Sequence, residues 1–122
     1  MRSALPLTSL AGAALAAFLL AALPLAAQQQ QQGQPFTVVE TGQGFARLQD
    51  AVLAIGEGRG SIAIAPGRYR ECAVQAAGEI AYLAAEPGTA IFDGVACEGK
   101  AALVLRGRSA EVSGLIFENI AV

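Results

Sequence analysis

The side chains that could do chemistry in this sequence are carboxylates and arginines, and they are scattered. Beyond the first helix-like stretch the acids stand singly, at Glu71, Glu79, Glu86, Asp93, Glu98, Glu111 and Glu118. General acid and base work on a glycosidic bond needs carboxyl groups held together, so these acids can act only if the fold gathers them. Asp93 lies roughly one repeat of about 20 residues from both Glu71 and Glu111, a spacing at which a repeating chain sets residues on one outer face. Arg68, Arg70, Arg106 and Arg108 could flank that face. The plainer reading of the same residues is a ladder of ion pairs on a wet surface, each contributing about 0–1 kcal/mol. The chain has no histidine, which excludes His-based nucleophilic and zinc chemistry within it. The glycine-rich "GEGRG" at Gly56–Gly60 follows a helix instead of opening one, so it reads as a cap and turn, not a phosphate cradle.

The elements that would position these groups fill only part of the 122 residues. Residues 1–27 open with Arg2, continue as an uncharged Ala/Leu tract and end in small residues, the pattern of a secretory signal peptide cut after Ala27. An uncleaved anchor is the alternative, because the tract could just span a bilayer of about 30 Å. Residues 28–35, "QQQQQGQP", read as a flexible Gln-rich linker. Export predicts a secreted or periplasmic protein with no membrane segment after cleavage. Beyond Ala27 the charges are mixed, seven basic against ten acidic, without the basic block that nucleic-acid binding requires. The two cysteines, Cys72 and Cys97, are either a disulfide suited to an oxidising compartment or two buried thiols.

Residues 36–122 carry the fold. "FTVVETG" reads as a short strand, and "GFARLQDAVLAIGEG" as an amphipathic helix whose stripe is Phe45, Leu48, Val52 and Ile55. From Ser61 onward short apolar segments bounded by Gly, Pro, Glu or Ser predict strands. Ile64, Leu83 and Leu105 recur at 19 and 22 residues, and Ile91 and Val112 at 21. A period of about 20 residues with polar corners at Pro66-Gly67, Pro87-Gly88 and Gly107–Ser109 predicts a stack of similar turns of chain.

These residues resemble a known family. Helix, then "SIAIAPGRYRE", then "AIFDG", then "VSGLIFENI" is similar to the N-terminal part of right-handed parallel β-helix proteins of the pectin-lyase-like superfamily. Ile64, Pro66, Gly67, Tyr69 and Glu71 match its strand, Pro-Gly, Tyr, Glu phrase, and Gly114, Leu115, Phe117 and Asn119 match its coil end. The resemblance implies an all-β fold, a right-handed parallel β-helix of about three coils with an N-terminal capping α-helix. It also implies a polysaccharide partner, recognised or degraded, with this chain as cap and scaffold. A calcium ion of the lyase kind, if present, would be held by Glu71, Asp93 and Glu111. The alternative is a non-catalytic surface or adhesion module. The chain stops in "GLIFENIAV" without a polar cap, so its last face is expected to meet downstream coils or a second copy.

Overall fold

The computed structural model describes residues 33–122. The expected signal peptide and Gln28–Gln32 of the expected linker lie outside the described residues. Strand β1 (Phe36–Val38) turns Phe36 and Val38 inward and leaves Thr37 half-buried, the alternation of a strand with one covered face. The chain reverses within a few residues: the Gly42 N–H donates to the Val38 carbonyl at 2.8 Å, with Gly42 at a left-handed φ of 73°. Strand β2 (Gln43–Phe45) therefore returns antiparallel, Phe36 opposite Phe45. So short a connection permits no other direction.

Helix α1 (Leu48–Ile55) follows. Leu48, Ala51 and Val52 face inward and Leu53 faces solvent. Gly56 ends the helix in the left-handed region, its N–H donating to the Val52 carbonyl at 3.1 Å. Eight short strands complete the chain: β3 (Arg59–Ile64), β4 (Gly67–Tyr69), β5 (Ala73–Gln75), β6 (Glu79–Ala84), β7 (Ala90–Asp93), β8 (Leu103–Leu105), β9 (Ser109–Ser113) and β10 (Leu115–Glu118). They form three sheets, ordered β2-β1-β3-β6-β9, β4-β7-β10 and β5-β8.

The expected all-β, right-handed parallel β-helix of about three coils is corrected by this pairing. The largest sheet is mixed: β1 runs antiparallel to both β2 and β3, while β3, β6 and β9 are mutually parallel. The described residues form a small fold of mixed sheets with one helix. Phe45, assigned to the helix stripe by its spacing, lies in β2 instead. The expected stack of Ile64, Leu83 and Leu105 is also corrected. Ile64 stands opposite Ala84, Leu83 opposite Ala63 and Ser113, and Leu105 opposite Gln75 in another sheet. A shift of one residue in a strand moves a side chain to the other face, so near-equal spacing did not identify equivalent positions. From β6 to β9 the offset is thirty positions, Glu79 to Ser109, because the chain makes an excursion after β7. Its Cys97 and Ala101 form a small antiparallel bridge of their own.

The core fills the space between the sheets and α1. Ile62 and Tyr82 are opposite one another and fully buried, as are Phe36, Leu48, Ile64 and Phe92. Four aromatic rings form a continuous column: Phe36 to Tyr69 at 5.1 Å, Tyr69 to Phe92 at 5.4 Å and Phe92 to Phe117 at 5.8 Å between centroids. At these separations each pair adds about 0.5–1.5 kcal/mol beyond the area it buries. Cys72 and Cys97 form a disulfide, with Cα atoms 5.5 Å apart. It ties the excursion after β7 to the β4–β5 corner.

Candidate functional site

The three carboxylates expected to share a face lie in three different places. Glu71 sits between β4 and β5, where its Oε1 accepts the Leu48 N–H at 2.8 Å and so satisfies a free donor of the first helical turn. Asp93 ends β7, with Arg68 Nη1 donating to its Oδ2 at 3.1 Å and Asn119 Nδ2 to its Oδ1 at 3.1 Å. The Asn119 bond, then Arg68 and Arg70, hold the Asp93 carboxyl below its ordinary range. Glu111 is on β9, opposite Ala81 in the first sheet. It lines a shallow groove of about 410 Å³ with Arg59, Ser61, Glu79 and Ser109. Among the described residues no group of three His, Cys, Asp or Glu side chains is placed to hold a metal ion. The set Glu71, Asp93 and Glu111 therefore does not fit a calcium ion.

Arginines and acids pair across neighbouring strands instead. Arg68 bridges Asp93 and Glu118, at 3.1 and 2.9 Å. Glu79 lies between Arg108 at 3.2 Å and Arg59 at 3.4 Å, and these two, Arg108 first, draw its carboxyl below the ordinary range. Arg106 does the same for Glu98, to which its Nη1 donates at 3.0 Å. These pairs lie at or near the surface, so each contributes little.

A buried polar group went unrecognised in the sequence. Gln75 is 0% exposed. Its Nε2 donates to the carbonyls of Ala77, Gly78 and Ser109 at 3.0–3.2 Å, and its Oε1 accepts the Tyr82 hydroxyl at 2.8 Å. Burial pushes the Tyr82 phenol well above its ordinary range, so it remains a donor. The available signal was alternation: in "AVQ", Gln75 shares the inward face of Ala73.

The two ends of the strand stack differ. At one end β1, β2 and α1 form a lid. The edges of β4 and β5 lie on that side, and Gln49 of the helix closes β5 as a strand would. Val74 N–H donates to Gln49 Oε1 at 2.8 Å, and Gln49 Nε2 donates to the Val74 carbonyl at 3.0 Å. At the other end β8, β9 and β10 are the last strands of their sheets. Val112 continues the inward line of Ile62 and Tyr82, and Phe117 that of Tyr69 and Phe92. Yet Tyr82 and Phe92 are 0% exposed, whereas Val112 is 41% and Phe117 43% exposed, with Leu105 at 42%. These three border an apolar hollow of about 460 Å³, completed by Leu103, Ile120, Val122 and the Lys100–Ala102 segment. An apolar surface flanked by unpaired strand edges is the form that takes up further strands. No family model, curated protein or solved structure matches this chain.

Proposed function

We propose that the described unit is a capped scaffold that binds other polypeptide through its open end. The carrying observation is the difference between the ends: a lid of β1, β2 and α1 on one, the hollow beside β8, β9 and β10 on the other. The surface offers backbone donors and acceptors along three strand edges, which give affinity to any extended chain, and apolar positions between them, which select side chains. The setting proposed with it is an oxidising compartment, supported by the Cys72–Cys97 disulfide.

The reading is tested by titrating the full chain with an anilinonaphthalene sulfonate dye, which reports accessible apolar surface. Saturable fluorescence is expected, and its loss in Leu105→Asp and in Phe117→Asp variants that keep the wild-type circular dichroism. A wild-type chain that leaves the dye dark has no open apolar end, and the docking role falls with it.

A further inference from the structure

The open end is specific about what it will accept, because the chain has already added two layers in the same parallel register. Opposite each other in parallel register stand Ile62, Tyr82 and Val112 along one line, and Tyr69, Phe92 and Phe117 along another. Between the two strands of a layer the chain turns a corner: Ala65-Pro66 in the first, with Gly67 opening β4, and in the next two a corner containing a glycine, Gly88 and Gly114. Backbone bonds join the layers there: the Gly67 N–H at the start of β4 donates to the Thr89 carbonyl at 2.9 Å and the Gly88 N–H to the Gly114 carbonyl at 2.8 Å. The approach is close enough that a Cβ on Gly114 would stand 3.1 Å from the Ala84 Cβ and 3.2 Å from the Pro87 Cα. Gly114 also has a φ of 76°, so both space and conformation call for glycine there.

We infer that the occupant of the open end is an extended polypeptide segment of the form strand, glycine corner, strand, pairing in parallel with β9 and β10. It sets an aliphatic side chain over Val112 and an aromatic one over Phe117, continuing both inward lines. This rests on the docking role proposed above and adds the partner's chemistry. A second copy of the chain does not meet the requirement. Its first layer lies under β1, β2 and α1, so it has no layer to offer in parallel. Among the described residues, its remaining end repeats the surface it would have to cover.

The segment that already binds in this manner is residues 109–118, "SAEVSGLIFE", which lies along β6 and β7. A fluorescein-labelled peptide of that sequence is therefore the probe, its anisotropy followed as the full chain is added. Saturable binding is expected, and Phe117→Ser in the peptide should weaken it about tenfold, the worth of one buried aromatic contact. Because that change is in the peptide, it cannot disturb the protein's fold. Phe117→Asp in the protein should weaken binding as much, while Leu53→Asp on the far side of α1 should leave it unchanged. No saturable binding, or equal binding of the Ser peptide, overturns the inference. So does self-association through this end that the peptide fails to compete. In each of these cases a positive dye titration would leave the docking role standing.

Discussion

Among the described residues, Tyr82 and Gln75 form the one buried side-chain pair that joins separate strands. Removing the hydroxyl in Tyr82→Phe leaves the Gln75 Oε1 without a donor in an apolar interior, where an orphaned acceptor costs about 1–3 kcal/mol. The expected result is a melting temperature lower by roughly 4–8 °C for each kcal/mol lost, in a domain of this size. Calorimetry of the two proteins checks it, and an unchanged melting point would mean that the amide finds another partner. That pair also marks a limit of sequence reading. Glutamine is ordinarily a surface residue, and "AVQAAG" becomes a core segment only when the carbonyls of Ala77, Gly78 and Ser109 converge on it. The acids mark the same limit. Spacing suggested that Glu71, Asp93 and Glu111 could share a face, but the structure puts one beside the helix, one in the β4-β7-β10 sheet and one in the β3-β6-β9 sheet.

Among the elements, the excursion between β7 and β8 depends most on a covalent link. Cys72 and Cys97, 25 residues apart, close a loop whose entropy in the unfolded chain is worth about 3 kcal/mol. A Cys72→Ser, Cys97→Ser double variant is expected to lose about that much stability in denaturant titration. Amide exchange should accelerate first in Gly94–Ala102, which borders the hollow. Both cysteines were visible in the sequence as candidates for this bridge, since they are the only two. The helix was visible too, through Leu48, Val52 and Ile55, and so were most strand segments. Strand direction was not. Nothing in "FTVVETG" tells β1 to run antiparallel to β3, because that choice depends on where the chain returns after α1 and not on the strand's own residues. The recurrence of Ile64, Leu83 and Leu105 does not mark equivalent positions, since Leu83 is half-buried and Leu105 exposed while Tyr82 and Val104 beside them are buried.

For the molecule as a whole, the charges set the pH range of stability. Glu40, Glu79, Asp93 and Glu98 all have carboxyl groups held below their ordinary values, Glu40 mainly by the Ser61 backbone N–H and the others by side-chain partners. A group whose pKa is lowered on folding adds stability above its unfolded pKa, near 4, and loses it as pH falls through the lower folded value. With no histidine in the chain, no side chain should titrate between about pH 6 and 8. Thermal melts should therefore be level across that range and fall below about pH 4. Because the pairs face solvent, the acid-side slope should flatten in about 1 M salt, where the screening length is about 3 Å. A slope unaffected by salt would show that acid acts elsewhere.

The register offsets have a bearing on how the chain can fold as it is made. Among the described residues no strand pairs with a partner more than thirty positions away, the distance from Glu79 to Ser109. The bonds that fasten the lid, from Leu48 to Glu71 and from Gln49 to Val74, are complete once residue 75 has emerged. A polypeptide leaving the ribosome N-terminus first would thus finish its sealed end early, and β6, β9 and β10 would each arrive at a surface already formed. Throughout synthesis the unprotected edge would lie at the growing end, beside the tunnel exit.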